Sequence, residues 1–327
     1  MADVQDRAFE ALGFTKSTSD KGLVSYSRDL DQSNADNANI VLIHGYPQSS
    51  YIWRHVIPLL PKVPLYVPDM PGYGQSAPTS ADKYGKLALG ELILSALRDL
   101  LPSGPTVAQP VVIIGHDRGG RVAHHLALAP GNPAIKGFRI TAVALLDIVP
   151  TLYQWRIGSS AAAQTGYFHW SFLANTALAM RLISAYGGGN WAREMIDRWA
   201  GKNAAGRARL ASDDAPDVYA RFFDKPAVVE ASCRDYEAGA KEDAEYEAAA
   251  EREGRAIAVP LLLVYSAEFL PKRATIPIEQ VWGPPWSERQ DLVTSAPIGN
   301  GIGHFVAEEA PEEVAKAIRD WLLSIKQ

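Results

Sequence analysis

The sequence contains a single cysteine, Cys233, among its 327 residues. One thiol excludes a disulfide framework within the chain and suits a reducing compartment. We interpret Cys233 as a packed residue rather than a reactive one. No apolar run reaches the roughly 18 residues that a membrane-spanning helix needs, and the first residues lack the basic start and apolar core of a signal peptide. These absences predict a cytoplasmic protein that does not associate with membranes.

The sequence also lacks an excess of positive charge, because its formal net charge is −5. Nothing in this balance indicates a nucleic-acid partner or an anionic membrane surface. No CxxC or HExxH spacing is present. His124 and His125 are adjacent in a predicted helix, where neighbouring positions point in different directions, so this pair is predicted to be a poor metal site. We expect a small-molecule substrate and no metal or organic cofactor; a homodimer is compatible with the sequence.

Apolar, strand-like runs alternate with helix-like segments near both ends of the chain. This alternation predicts the α/β class, with a mostly parallel central sheet. A last strand is expected near residues 297–302. The other predicted elements are strands at 39–43, 65–69, 111–114, 140–146 and 259–265, and helices at 86–101, at 118–129 and at the C-terminal end.

The pattern changes between about residues 151 and 250. Aromatic clusters and acidic or alanine-rich stretches indicate helices there, without a convincing strand. We therefore predict a helical cap at 151–250, inserted into a core formed by residues 1–150 and 251–327. Within the cap and just beyond it, the acidic stretch 236–255 is interpreted as a solvated helix face.

The stretch VVIIGHDRGGR, residues 111–121, matches the strand–turn–helix pattern G-x-S-x-G of a nucleophile elbow. Asp117 occupies the position of the serine. An exposed carboxylate there could simply cap the helix, but the flanking glycines and the preceding strand favour a nucleophile. An ionised carboxylate attacks without a base. On a carbonyl it would form an anhydride, whereas on an sp3 carbon it forms an ordinary ester. Asp117 therefore indicates displacement of a halide or opening of an epoxide.

Hydrolysis of such an ester requires a base for water and donors for the oxyanion. His304, late in the chain in GIGHF, is the predicted base. The predicted donors are the backbone N–H groups of Arg118 and of Tyr46 in the HGYP loop. The histidine also needs an orienting acid. Two residues that follow predicted strands compete for this role, Asp147 and Glu268, and either could instead cap a loop.

With these residues in view, the sequence resembles the α/β-hydrolase superfamily, in the branch of haloalkane dehalogenases and epoxide hydrolases. More narrowly, it is similar to the fluoroacetate (haloacetate) dehalogenases. The resemblance covers nearly the whole chain. It rests on HGYPQSSYIWR, DMPGYGQS, GHDRGGRVAHHLAL, LLDIVPTLYQW, YFHWSFLA, CRDYEAGAKED and GHFVAEEAPEEV.

This resemblance implies an α/β-hydrolase fold and roles for further residues. Arg118 and Arg121 match the arginines that bind the substrate carboxylate, which two guanidinium groups can grip by charge-assisted hydrogen bonds. The resemblance also favours Asp147 as the acid. The implied halide pocket consists of His169, Trp170 and Tyr236, whose N–H and O–H groups are all donors, and Trp199 is a candidate for lining the substrate pocket.

Other readings remain open at this point. Arg121 could pair with a structural acid, and the aromatic residues of the cap could be packing residues. The chain could be an epoxide hydrolase, in which Tyr236, Tyr153 or Tyr167 protonates the opening oxygen. It could also be a binding protein of the hydrolase fold that has lost catalysis, although Asp117, Asp147 and His304 together favour an enzyme. The function that the residues favour is hydrolytic dehalogenation of a short 2-haloacid.

Overall fold

A central sheet of eight strands organises the molecule. The computed structural model describes residues 3–80, 83–101, 108–129, 135–158 and 161–325. The strands are β1 (Thr15–Thr18), β2 (Val24–Arg28), β3 (Asn39–Ile43), β4 (Leu65–Pro68), β5 (Gln109–His116), β6 (Phe138–Leu146), β7 (Leu261–Ser266) and β8 (Val293–Ile298).

The strands follow the order β1-β2-β4-β3-β5-β6-β7-β8 across the sheet. The pairs β1–β2 and β2–β4 are antiparallel, and all other neighbours are parallel. Every residue of β3 and of β7 is buried, as expected for inner strands of a parallel sheet. The prediction of a mostly parallel α/β sheet is confirmed.

Helices precede the sheet, connect its strands and close the chain. The helices of the core are α1 (Val4–Ala11), α2 (Lys86–Leu100), α3 (Arg118–Ala127), α13 (Ile278–Val281), α14 (Val306–Glu309) and α15 (Pro311–Ser324). In the part of the core that the structure describes, α2 packs on α3, α3 packs on β5 and β6, and α15 packs on β7 and β8.

Between β6 and β7, the described residues form nine helices and no strand. They are α4 (Thr151–Ile157), α5 (Ala161–Gly166), α6 (Phe168–Ala174), α7 (Thr176–Tyr186), α8 (Gly188–Trp199), α9 (Ala204–Leu210), α10 (Ala215–Phe223), α11 (Pro226–Ala240) and α12 (Glu242–Glu253). We retain the interpretation of this segment as a helical cap, and we call it the cap below.

The sequence prediction misses strands at the sheet edges and also β2, an inner strand whose sequence VSYSR alternates apolar and polar residues. The last strand is β8, at Val293–Ile298, and not the expected 297–302. Its sequence VTSAPI is partly exposed at the sheet edge, so it does not form the apolar run that marks an inner strand. The exposed edge strand β1, TKST, was not predicted for the same reason.

The acidic stretch 236–255 is not simply a solvated face. Asp243 and Glu247 of α12 are buried, at 1% and 0% exposure. Both carboxylates contact core residues, as described below, so the prediction of a solvent-facing segment is wrong for these two positions.

Cys233 of α11 is buried, in agreement with a packed residue. Burial also raises the pKa of its thiol to about 12, which keeps the sulfur protonated at neutral pH.

Among the described residues, no helix is both long enough and apolar enough to cross a membrane.

Candidate active site

Asp117 lies at a sharp turn between β5 and α3. Its backbone has φ 46° and ψ −115°, a sparsely populated conformation for a residue with a side chain. Gly119 lets α3 approach β3 closely, because a Cβ at this position would lie 2.4 Å from the carbonyl oxygens of Ile43 and His44. Gly115 is required in the same way, since its Cβ would lie 2.2 Å from the oxygen of Gly119. The glycines that flank Asp117 thus serve close backbone packing.

The carboxylate of Asp117 is held from two sides. Its Oδ2 accepts a hydrogen bond of 2.9 Å from the backbone N–H of Tyr46. Its Oδ1 lies 4.0 Å from Nε2 of His304. Burial raises the pKa of Asp117, but the charges of His304 and Arg118 outweigh burial and hold the pKa below its ordinary value. The carboxylate is therefore ionised at neutral pH.

His304 is oriented by Asp147. Its Nδ1 lies 2.6 Å from Oδ2 of Asp147, and the other carboxylate oxygen of Asp147 accepts a 2.8 Å hydrogen bond from the N–H of Ser266. Glu268 is exposed, and its carboxylate accepts from the N–H of Gly301 at 2.8 Å. The structure therefore brings Asp147, and not Glu268, to the histidine.

The two arginines occupy different positions. Arg118 donates from Nε to Oδ2 of Asp235 and from Nη2 to the carbonyl oxygen of Asp235, both at 2.9 Å. Its guanidinium does not line the cavity beside Asp117, and its buried Nη1 has no hydrogen-bond partner among the described residues. Arg121 does line this cavity.

Arg121 is a buried cation, 3% exposed, that makes no ion pair with the described residues. Its Nη1 donates to the oxygen of Val149 at 2.9 Å and to Oγ1 of Thr151 at 3.0 Å. Burial and the neighbouring charge of Arg118 lower the pKa of Arg121. A buried guanidinium without a carboxylate partner is a site at which an anion is stabilised.

Aromatic residues of the cap close the cavity over Asp117. The ring of His169 lies 5.7 Å from that of Tyr236 and 4.4 Å from that of Trp199, and the rings of Trp170 and Tyr236 lie 5.9 Å apart. The cavity has a volume of about 30 Å³. Its lining consists of Asp117, Arg121, Asp147, Ile148, Val149, Gln154, Gly166, Tyr167, His169, Trp170, Trp199, Tyr236, Phe269, Leu270 and His304.

The tyrosines considered as proton donors differ in position. Tyr236 and Tyr167 line the cavity. Tyr153 does not, and its hydroxyl lies 2.9 Å from Oγ1 of Thr275. Burial and the charge of Asp117 raise the pKa of Tyr236 well above its ordinary value, so this phenol is protonated and able to donate.

Sequence reasoning missed a buried ionic network beside the elbow. Lys86, the first residue of α2, contacts the carboxylate of Asp235 and lies 3.1 Å from that of Asp243. The hydroxyl of Tyr73 donates to Asp235 at 2.8 Å. Burial raises the pKa of Asp235, but Arg118 and Lys86 lower it more, so the group remains ionised. Two cations and two carboxylates thus compensate one another next to the cavity.

His124 and His125 approach each other more closely than their adjacent helix positions indicated, and the expectation of a poor metal site stays a prediction. Their ring nitrogens and a carboxylate oxygen of Glu247 all lie within 4.8 Å of one another, which is the spacing of a conceivable metal site. Both oxygens of Glu247 also accept from the start of α4, at 3.1 Å from the N–H of Thr151 and 2.7 Å from that of Leu152. We interpret the cluster as the anchor of α4. A signal was present in the sequence, since Asp243 and Glu247 are four residues apart, a spacing that puts both carboxylates on one face of α12.

Two features of this structure are those of an α/β hydrolase: the order of the strands and the sharp turn at Asp117. A third is the order of the side chains along the chain, with Asp117 after β5, Asp147 after β6 and His304 after β8. The sequence profile of the Alpha/beta hydrolase family matches residues 40–317, so the chain belongs to this family.

Several relatives are similar to nearly the full length of the chain. A fluoroacetate dehalogenase from Burkholderia sp. is 26% identical over 285 residues, which cover 86% of each chain. A soluble epoxide hydrolase from Corynebacterium sp. is 29% identical over 290 residues, covering 84% of this chain and 86% of the relative. The solved structure of a presumed epoxide hydrolase from Pseudomonas aeruginosa has a TM-score of 0.79 at 27% identity, and the match covers 96% of this chain and 97% of that one. The chain is therefore related to both kinds of enzyme.

Proposed function

We propose that this protein hydrolyses short 2-haloacids of the haloacetate type to the corresponding hydroxyacid and halide. The observation that carries the proposal is Arg121. This buried guanidinium has no ion-pair partner among the described residues, and it lines the same cavity as the ionised Asp117. A 2-haloacid places a carboxylate one bond from the carbon to be attacked, which matches a cation beside a nucleophile.

The carboxylate of the substrate binds to Arg121. The resemblance implies Arg118 as a second arginine for this carboxylate, but its guanidinium pairs with Asp235 and does not line the cavity, so we assign the contact to Arg121 alone. Oδ1 of Asp117 attacks the carbon that carries the halogen. A carbon–oxygen bond forms while the carbon–halogen bond breaks, and the halide leaves with the bonding electron pair. The donor groups of His169, Trp170 and Tyr236 receive the halide.

The ester is then hydrolysed. His304, held by Asp147, removes a proton from water, and the resulting hydroxide attacks the ester carbonyl carbon of Asp117. The oxyanion forms on Oδ2, which already accepts the N–H of Tyr46, and the N–H of Arg118 is the second predicted donor. As the intermediate collapses, the bond between Oδ1 and the carbonyl carbon breaks, and protonated His304 gives its proton to Oδ1, which becomes the hydroxyl oxygen of the hydroxyacid. The oxygen from water remains in the carboxyl group of Asp117, whose proton is then lost to solvent. No step calls for a metal or an organic cofactor.

The small cavity supports a small substrate. About 30 Å³ accommodates only a few atoms, whereas pockets for larger ligands occupy hundreds of Å³.

Epoxide hydrolysis is the second candidate. Tyr236 and Tyr167, both in the cavity lining, favour it because a phenol could protonate the opening oxygen.

Halide release from fluoroacetate and chloroacetate tests the proposal, with the wild type measured beside Asp117→Asn. We expect halide from the wild type and none above background from the variant, because an amide is not a nucleophile here. A single turnover in ¹⁸O-labelled water should place the label in Asp117 and not in the hydroxyacid. No halide from either acid, together with consumption of epoxides, would establish the second candidate instead. Ligand binding without any turnover would indicate a binding protein.

A further inference from the structure

Gln154 is a cavity residue to which the sequence analysis assigned no role. It lies on α4 and is 4% exposed, and its side chain lines the cavity together with Arg121 and Asp117. It also lines an outer depression of about 440 Å³, shared with Tyr167 and Trp170. Gln154 therefore stands in the wall between the catalytic cavity and the space outside it.

The amide nitrogen Nε2 of Gln154 is buried and has no hydrogen-bond partner among the described residues. Buried donors are almost always satisfied in folded proteins, since an unsatisfied one destabilises the native state. An unsatisfied donor in the lining of a reaction cavity is accounted for when a ligand supplies the acceptor.

Arg121 shows the same feature in the same cavity. Its Nε is buried and has no acceptor among the described residues, while its Nη1 is held by Val149 and Thr151. Thr151 and Gln154 are three residues apart on α4, a spacing that places them on the same side of a helix. One helix therefore both anchors the guanidinium of Arg121 and carries the amide of Gln154.

We propose that Gln154 is a substrate-binding residue, whose amide N–H donates to the carboxylate that Arg121 binds. This inference rests on the proposed function, because it identifies a further contact of the same substrate. An ionised carboxylate only accepts hydrogen bonds and offers about four lone-pair positions. Two separate donors can therefore engage it and turn the neighbouring carbon toward Asp117. The neutral amide supplies the second donor without adding positive charge beside Arg121.

The test compares Gln154→Met and Gln154→Glu with the wild type in chloroacetate turnover and in calorimetric titration with glycolate, the expected product. Gln164→Met is the matched control, because Gln164 is exposed and lines the outer depression but not the cavity. We expect Gln154→Met to raise KM and the glycolate Kd about tenfold or more, with kcat within about threefold. Gln154→Glu should weaken both by more than about 100-fold through like-charge repulsion.

Thermal unfolding separates binding from a structural role. Methionine removes an unsatisfied buried donor, so the Tm of Gln154→Met should equal or exceed that of the wild type. KM and Kd within twofold of the wild-type values would overturn the inference at any Tm, and a lower Tm beside them would show that Gln154 has a structural role instead. If the wild type binds glycolate but releases no halide, the dehalogenase proposal fails, and the glycolate Kd of the variants still decides the role of Gln154. If the wild type binds no glycolate, the assignment of Gln154 fails as well.

Discussion

The turn at Asp117 combines a strained backbone with a charge that its surroundings stabilise. The positive φ of 46° aims the side chain into the cavity, and the N–H of Tyr46 holds one of its oxygens. The other oxygen is 4.0 Å from His304. Oδ1 of the carboxylate is thus the oxygen available for attack, and Oδ2 already accepts a backbone hydrogen bond. A two-step mechanism through an ester needs both, because the second oxygen carries the negative charge when the ester is hydrolysed.

At this scale, we predict that His304→Asn separates the two chemical steps. Asp117 should still attack chloroacetate, but the ester should accumulate, because no base activates water. Turnover should fall by about 10²- to 10⁴-fold. Mass spectrometry of the intact protein should show the added carboxymethyl group, mapped to Asp117 after digestion.

Glu268→Gln serves as the control for that experiment, since Glu268 accepts from Gly301 and does not contact His304. Its turnover should remain close to that of the wild type. An unmodified Asp117 in the His304 variant after incubation with substrate would contradict the two-step mechanism.

Two buried acids of the cap, one on α11 and one on α12, form ion pairs with an arginine and a lysine of the core. Asp235 and Asp243 meet Lys86 and Arg118 in a fully buried cluster. The pKa of Asp235 is lowered in the folded state, so the pairing stabilises the protein fully above about pH 3.9, the ordinary pKa of aspartate. This contribution is lost as the pH falls through the lowered pKa.

We predict that Lys86→Met destabilises the protein by about 3–5 kcal/mol, because it leaves two buried carboxylates with one cation fewer. Denaturant unfolding at neutral pH measures this change. Lys83→Met is the matched control, since Lys83 is exposed, and its effect should be within about 0.5 kcal/mol. A loss below about 1 kcal/mol for Lys86→Met would show that the cluster contributes little net stability.

Across the whole molecule, cap and core share buried polar contacts as well as the cavity. Asp235, Asp243 and Glu247 of the cap all bond to core side chains, and Trp191 of the cap donates to the hydroxyl of Tyr46. Separating the cap would leave several buried charges unpaired, which is costly.

We therefore predict that cap and core unfold in a single cooperative transition. Calorimetry, near-ultraviolet circular dichroism and loss of chloroacetate turnover should give coincident midpoints. Glu247→Ala should shift all three midpoints downward together. Loss of activity at a temperature well below the main calorimetric transition would show instead that the cap unfolds on its own.

Local patterns in the sequence were sufficient for much of the architecture. Most inner strands were predictable because burial on both faces requires continuous apolar runs, and β3 lies where its run NIVLI predicted. The inner strand β2 was missed, because its sequence VSYSR contains no such run. Asp117, with its flanking glycines, was recognisable because the elbow imposes a short, local constraint. The edge strands β1 and β8 were not predictable in this way, since partial exposure removes the apolar signal.

What the sequence by itself determined was the class of fold, the position of the turn that carries Asp117 and most of the candidate residues that meet around it. Only the tertiary structure decided which of them touch. It placed Asp147 rather than Glu268 at His304, paired Arg118 with Asp235, and left Arg121 and Gln154 facing the cavity with unused donors. The physical reason is that pairing depends on which side chains long-range packing brings within about 3 Å. Residues such as Arg118 and Asp235, 117 positions apart, have no local pattern that records their contact.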